Sequence, residues 1–429
     1  MTEARIQQVI GRRVWDSRGR PTVEAEIRLD NGASGRAIAP AGASTGTNEA
    51  VELRDGGAAL GGFGVGRAVA NVNGEIAAAL HSMPIADQEA IDRRLIELDG
   101  TANKARLGAN ALIAVSMAAL QAAAAARGQP VWRVLSEVDA ATLPMPMVQM
   151  FGGGAHAGRR VDIQDFLIVP VGAGSFDEAL ETAARVYRAA GEIMAARGRL
   201  RGVADEGGWW PEFASNAEAL DTLVEAIERA QFPAGQQVGI AIDVAASQFR
   251  DGGRYRLSAD GIELETPALI ELLVGWCLRY PIVSVEDPVA EDDDDGMAAF
   301  TAAVGERIQV IGDDYLVTSA ERIATAAFRG ACNAVLLKPN QAGTITETKA
   351  ALDTARAAGW HTVVSARSGE TEDVTIVHLA VGWNAGQLKV GSFARSERMA
   401  KWNEALRIEE ALGPRARFAG AAPLKVGSQ

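Results

Sequence analysis

Ile282-Val283-Ser284-Val285-Glu286-Asp287-Pro288 is a short apolar run, rich in β-branched residues, that stops on two acids. A strand of a parallel sheet, covered on both faces, reads in this way. The same phrase recurs through the second part of the chain. Runs at 145–150, 166–171, 201–205, 238–242, 282–285, 308–311, 334–337, 362–365 and 387–390 alternate with helical segments. That alternation is the mark of βα units around a parallel sheet. About eight units over Met145 to Gln429 fit a TIM-type barrel, whose usual length is about 250 residues. An open doubly wound sheet is the rival, but no G-x-G-x-x-G follows a strand. Gly61, Gly62, Gly64 and Gly66 have the wrong spacing for it and read as a loop.

Upstream the rhythm differs. Residues 21–30 (PTVEAEIRLD) alternate apolar and polar, as a half-buried strand does. Asn31-Gly32 reads as a hairpin turn, and 35–38 as a second short strand. A loop of small residues, Ala39 to Gly46, follows, and from 65 to 127 the pattern is helical. These elements make an α+β unit. Leu143-Pro144 closes a plausible boundary segment, so the expected division is a capping domain at 1–138 and a barrel domain at 139–429.

The 429 residues are 48% hydrophobic and 23% charged, with a net charge of 42 − 55 = −13. An acidic chain argues against a nucleic-acid or polyanion partner. A small anionic substrate remains compatible, because a local cluster of cations overrides the global sign. Cys277 and Cys332 lack CxxC spacing and read as buried free thiols. Four histidines argue against a poly-His zinc site. The first 13 residues carry no apolar core of a signal peptide. The most apolar stretch, 111–126, is broken by Ser116 and Gln121 and falls short of the roughly 18 residues of a membrane span. It reads as a tightly packed internal helix, and the expected location is the cytoplasm with no membrane partner.

Ionisable residues punctuate the strand ends. Asp205-Glu206 follows Ala204, Asp243 follows Ile242, and Glu286 follows Val285. Asp313 follows Gly312, Lys338 follows Leu337, Arg367 follows Ser365-Ala366, and Lys389 follows Leu388. One acid after a strand is commonly a helix cap. A succession of them is different, because the C-terminal strand ends of a barrel converge on one mouth. There Asp243, Glu286 and Asp313 would crowd together and raise each other's pKa. A hard divalent cation relieves that repulsion, and an all-oxygen ligand set with room for water suits Mg²⁺. Lys338 or Lys389 beside a cation would have a lowered pKa and could serve as a base. Arg367 with Ser368 suits a phosphate or carboxylate. Together these groups suit proton abstraction next to a carboxylate, with stabilisation of an enediolate. The acidic run Glu291 to Asp295 reads as a solvated loop, since five adjacent acids cannot all point at one ion.

Longer motifs carry a family resemblance. They are Asp16-Ser17-Arg18-Gly19, Gly42-Ala43-Ser44-Thr45-Gly46, Asp205-Glu206-Gly207-Gly208, Ser215-Asn216, Val285-Glu286-Asp287-Pro288, Gly312-Asp313-Asp314, 367–373 (RSGETED) and Arg407-Ile408-Glu409-Glu410. In this order they resemble the enolase family along essentially the whole chain. The resemblance implies an α/β fold: an N-terminal α+β cap and a modified TIM barrel whose second strand runs antiparallel. It implies Asp243, Glu286 and Asp313 as ligands of one Mg²⁺, and Ser44 as a ligand of a second that arrives with substrate. Lys338 resembles the base at carbon 2, and Glu206 the acid at the carbon-3 hydroxyl. Lys389 resembles the group facing the substrate carboxylate. Arg367 and Ser368 resemble the phosphate contacts, and His156 the loop histidine near the phosphate; by itself, a histidine in that Gly-rich loop reads as exposed. A homodimer or higher homo-oligomer is also implied.

The departures from the family pattern bear on substrate. Gln164-Asp165-Phe166 stands where Q-E-F is usual, and Ser365-Ala366-Arg367-Ser368 where S-H-R-S is usual. Smaller departures are Ala41, Ala204 and Trp209-Trp210-Pro211-Glu212. Both main changes enlarge the site, and polar partners left unmet disfavour the original substrate unless a new one fills the space. The expectation is therefore a Mg²⁺-dependent dehydratase acting on a phosphorylated or phosphonylated carboxylic acid bulkier than 2-phosphoglycerate. Synthesis of carboxyphosphonoenolpyruvate in phosphinate antibiotic pathways is one such activity. The alternatives are the ordinary glycolytic reaction of the family and a non-catalytic enolase-like binding protein.

Overall fold

The computed structural model describes residues 4–136 and 141–424, so the expected boundary between 138 and 139 lies outside the described residues. The chain opens with an antiparallel sheet of β1 (Ile6–Trp15), β2 (Pro21–Leu29) and β3 (Ser34–Ile38). The last two are the strands expected from alternation, and Gly32 turns the chain between them at φ +85°. β1 escaped the sequence reading because Gln7-Gln8 and Arg12-Arg13 blur its alternation.

Helix α2 (Ala109–Arg127) backs this sheet, and α1 (Gln88–Asp99) packs against α2. α2 is the alanine-rich stretch. By length and composition it could cross a membrane, but 83% of its apolar window is buried inside the protein. Alanine lets its backbone approach β3 closely. A Cβ on Gly35 would lie 2.1 Å from the Ala122 backbone nitrogen, so only glycine fits there.

The barrel closes from eight strands: β4 (Met145–Gly152), β5 (Asp165–Val169), β6 (Gly239–Asp243), β7 (Ile282–Glu286), β8 (Gln309–Gly312), β9 (Ala334–Leu337), β10 (His361–Ser365) and β11 (Gly386–Gly391). All neighbours are parallel except β5, which runs antiparallel to both β4 and β6. The enolase-type modified barrel expected from the resemblance is therefore present. One expected strand is not. Residues 201–205 form a loop with a lone bridge at Val203, because Gly202 at φ +102° and the turn ending at Gly207, φ +93°, break the extended path.

The barrel floor is a separate apolar layer that includes Met145, Met147, Leu167, Ala241, Leu336 and Val363. Burying each of the methionine, leucine and valine side chains stabilises the fold by roughly 1.5–3 kcal/mol. Gln309 and Gln387 share that interior, joined by a 2.6 Å hydrogen bond, and Ser284 donates to Gln309 at 3.1 Å, so no polar group among them is stranded.

The N-terminal unit is fastened to the barrel at helix α3 (Ile345–Ala357). Its first backbone N–H donates to the Ser116 hydroxyl at 3.0 Å, and its second to Asp92 at 2.9 Å. Thr344 caps the helix in the ordinary way, accepting from the Glu347 N–H; α1 and α2 take up the two preceding N–H groups from across the seam. Burial pushes the Asp92 carboxyl up to about 6, against the hydrogen bonds from Ser116, Thr346 and Gln88.

Candidate active site

Strand alternation builds the barrel mouth directly on its floor. Residues two apart on a strand face the same way. Ala241 lies in the floor and Asp243 in the mouth; Leu336 and Lys338 repeat the step on β9, and Gln387 and Lys389 on β11. Register sets the level. Asp243 pairs with Glu286 on one side and with Asp165 on the other, and Ser365 pairs with Lys389. Asp165 reaches the mouth from the first residue of its strand, because β5 runs the opposite way.

Lys389 Nζ lies 2.8 Å from Asp243 and 2.8 Å from Glu286, and 3.5 Å from Asp165. Lys338 Nζ donates to Asp313. All of these groups are buried. Burial, then the neighbouring Asp243, holds Glu286 well above the usual carboxylate range. Burial would also raise Asp313, but Lys338 and Lys389 outweigh it and lower its pKa. The lysines go the other way from the sequence expectation. Burial lowers Lys338, but the carboxylates around it, Asp313 first and then Asp314 and Glu286, together outweigh burial and raise it; burial lowers Lys389 too, but Asp243 and Glu286, with Asp165 and Asp313, carry it well above its usual range. The protein's own carboxylates thus hold both ammonium groups charged, and a lowered base requires an added cation among them.

Among the described residues, the acid and histidine groups whose ligand atoms lie within 4.8 Å of one another are His156/Asp165/Glu206 and Asp287/Asp313/Asp314. The expected trio Asp243, Glu286 and Asp313 is not drawn together to that degree, because Lys389 lies between two of them and Lys338 on the third. Its chemistry nevertheless fits Mg²⁺: buried carboxylates alone, from adjacent strand ends, one held well up by crowding. Asp287 is already engaged, accepting from the backbone N–H groups of Asp313 and Asp314 at 2.9 and 2.7 Å. It shapes the turn after β8.

Glu206 comes to the mouth on the loop that replaced the expected strand. The Asp205 N–H donates to the His156 carbonyl at 3.1 Å, and the Tyr187 hydroxyl to the Gly207 carbonyl at 2.9 Å. Trp209, one of the departures, stacks on Tyr187 with ring centroids 4.6 Å apart, and Gly191 leaves it the room. His156 is buried, not exposed as the glycine-rich loop suggested. Its Nδ1 lies 3.1 Å from Asp165 and its Nε2 3.7 Å from Glu206. Burial lowers His156, but Glu206 and Asp165 outweigh it and raise its pKa. Asp165 Oδ1 also accepts from Gln149, while its Oδ2 has no hydrogen-bond partner and lies 3.5 Å from Lys389 Nζ. Gln164 donates to Asp243 at 2.9 Å.

Ser44, His156, Asp165, Glu206, Lys338 and Arg367 line one cavity, together with Gln164, Ala366, Ser368 and Lys389. Arg367 is buried and bound by Glu49 at 3.0 Å and by the Ser44 carbonyl at 2.9 Å. Burial would lower it, but Glu49 raises it. Arg18, from the first motif, donates to the Ser368 hydroxyl at 3.3 Å.

Sequence reading missed Glu49, Gln341, Gln149 and Arg18 as site residues. Glu49 lies three residues beyond the quoted Gly46, and only extension of that motif would have found it. The acidic run is also more than a solvated loop. Glu291 accepts from the Thr47 N–H at 2.9 Å, and Asp293 caps the helix Asp294–Val304. Cys332 is buried as expected, whereas Cys277 is half-buried.

Two family models match the chain: the enolase N-terminal domain over residues 6–135 and the enolase C-terminal TIM barrel domain over 140–426. A curated protein described as "Enolase" from Rubrobacter xylanophilus is 50% identical over 421 residues, covering 98% of this chain and 97% of that protein. Closed barrel, reversed second strand, mouth chemistry and these matches converge: the chain belongs to the enolase family and is an enolase-like carbon–oxygen lyase.

Proposed function

We propose that the chain removes water from 2-phosphoglycerate to give phosphoenolpyruvate. The observation that carries this reading is a single cavity lined by an amine base, Lys338, a carboxyl acid, Glu206, and an arginine, Arg367. Asp243, Glu286 and Asp313 would hold one Mg²⁺, and Ser44 would join a second. When bound, Mg²⁺ supplies the positive charge that stabilises the enediolate, the established chemistry of this superfamily.

The side chains divide the rest of the work. Lys338 accepts the carbon-2 proton, and Glu206 donates a proton to the departing carbon-3 hydroxyl. Lys389 faces the substrate carboxylate. Arg367 and Ser368 bind the phosphate, Arg367 through its planar fork. Asp165 holds His156 in place beside Glu206, and Gln164 orients Asp243. Lys338→Ala should lower turnover about 10²–10⁴-fold, the usual worth of a general base. Unchanged turnover would remove Lys338 from this role, and binding without turnover in Mg²⁺ would favour a non-catalytic protein.

A bulkier analogue, such as the precursor of carboxyphosphonoenolpyruvate, is the second reading. Ala366 favours it, since a methyl group lines the cavity where the family usually has histidine. Asp165 Oδ2 also lacks a hydrogen-bond partner. The 50% identity to a protein described as "Enolase" and the contacts of Asp165 with His156 and Gln149 support the first reading better. A capping domain at 1–138, a barrel domain at 139–429, a homodimer or higher assembly and a cytoplasmic location complete the proposal.

A further inference from the structure

The Ser44 loop, the arginine clamp and one expected metal ligand are wired together by two side chains that the reaction itself does not use. Glu49 Oε1 accepts from the Gly46 N–H at 3.0 Å, from Arg367 at 3.1 Å and from Gln341 Nε2 at 3.2 Å, while its Oε2 accepts from Arg367 at 3.0 Å. Gln341 Nε2 donates a second hydrogen bond to Asp313 Oδ1 at 3.0 Å. An amide NH₂ has two hydrogens, and here each goes to a different carboxylate. Its orientation is fixed from behind. The Thr318 hydroxyl donates to Gln341 Oε1 at 2.7 Å, and the Lys338 backbone N–H donates to that same hydroxyl at 2.9 Å. The Gln341 carbonyl in turn accepts from the Ala50 N–H at 2.9 Å, at the end of the loop. Gln341 and Thr318 are each 2% exposed.

We propose that Glu49 and Gln341 are positioning residues that couple the seating of loop 43–49 and of Arg367 to occupation of the Asp313 site by a divalent cation. A cation at Asp313 fixes the carboxylate whose other oxygen Gln341 holds. Gln341 then presents its second hydrogen to Glu49, which fixes the Gly46 N–H and the Arg367 fork. Loop, clamp and metal site are therefore one hydrogen-bonded unit rather than three independent parts. Such buried networks act together when every member is satisfied.

This rests on the Mg²⁺ assignment above, so its test uses Mg²⁺ alone, without substrate. Hydrogen exchange of the loop amides in the full-length protein should slow about tenfold when Mg²⁺ is added. In Gln341→Leu that protection should fall below about twofold, because the bridge has lost both donors. Thr318→Val leaves the amide in place but frees its orientation; it should show a smaller loss in the same direction, and it serves if Gln341→Leu does not fold. Glu49→Gln should keep Mg²⁺ binding by calorimetry, lose loop protection and raise KM for 2-phosphoglycerate more than it lowers kcat, with partial rescue by Glu49→Asp. Wild-type protection that ignores Mg²⁺, or full protection retained in Gln341→Leu and Thr318→Val, overturns the coupling. Absence of turnover with Mg²⁺-linked protection intact would instead fail the reaction assignment and leave the coupling standing.

Discussion

The floor and the mouth of the barrel are made by the same strands, two residues apart, and they behave as opposites. Leu336 in the floor is apolar and joins a layer with no charge among its members. Lys338, the next residue on that face, sits among buried carboxylates. The floor gains stability from every contact. The mouth holds Glu286 well above its ordinary range, so burying its charge costs the fold stability. Stability and activity in this protein are therefore separable along a single strand.

The largest expected effect breaks that comparison from the mouth. Glu286→Gln should abolish Mg²⁺ binding and lower turnover on the order of 10³-fold, since several kcal/mol of charge stabilisation are lost. Its unfolding midpoint without metal should stay near wild type, because burial already disfavours the Glu286 charge and the amide oxygen still accepts from Lys389. Calorimetric Mg²⁺ titration and thermal unfolding check both halves. From the floor, Leu336→Ala should cost about 2–5 kcal/mol of stability by leaving a cavity. Its kcat, measured on the folded fraction, should stay near wild type; a collapse of kcat would show that the two layers are not separable.

The seam at Asp92 sharpens the comparison, because there a buried acid is held by neutral hydrogen-bond donors. Its neighbours Gln88, Ser116 and Thr346 are neutral, and its carboxyl rises to about 6. The folded form thus binds the proton more tightly than the unfolded form, which titrates near 4. Asp92 then stabilises the fold fully below pH 4 and loses that contribution as pH rises through 6. Two pKa units correspond to about 3 kcal/mol. Asp92→Asn should flatten the stability profile between pH 4 and 6, read by denaturant midpoints; an unchanged slope would place the titration elsewhere.

The smallest effect concerns specificity. Ala366→His should shift the ratio of kcat/KM for 2-phosphoglycerate against a bulkier analogue by about 10–100-fold toward 2-phosphoglycerate, if the methyl group sets pocket size. A ratio that does not move shows that position 366 does not discriminate.

How far the sequence reached follows from geometry. Asp243, Glu286, Asp313 and Lys338 were legible because parallel strands bring their C-terminal ends to one place. Asp165 was not legible by that rule, since β5 is reversed and offers its first residue instead; family resemblance supplied it. Glu206 was legible as a residue but not as a loop residue, because VAD at 203–205 looks like a strand until Gly202 and Gly207 adopt positive φ. His156 was placed by resemblance, while its glycine-rich surroundings gave no sign that Asp165 and Glu206 would bury it. Gln341 and Glu49 are far apart in sequence, and nothing local announces that they meet at 3.2 Å.

The most direct test of the whole account is side-by-side turnover of 2-phosphoglycerate by the wild-type protein in Mg²⁺, in chelator, and by Lys338→Ala in Mg²⁺, with the enolpyruvate product quantified. The wild type should give product in Mg²⁺ and none in chelator, and the variant should lose about 10²–10⁴-fold. No product from the wild type in Mg²⁺, or equal product from Lys338→Ala, would contradict it.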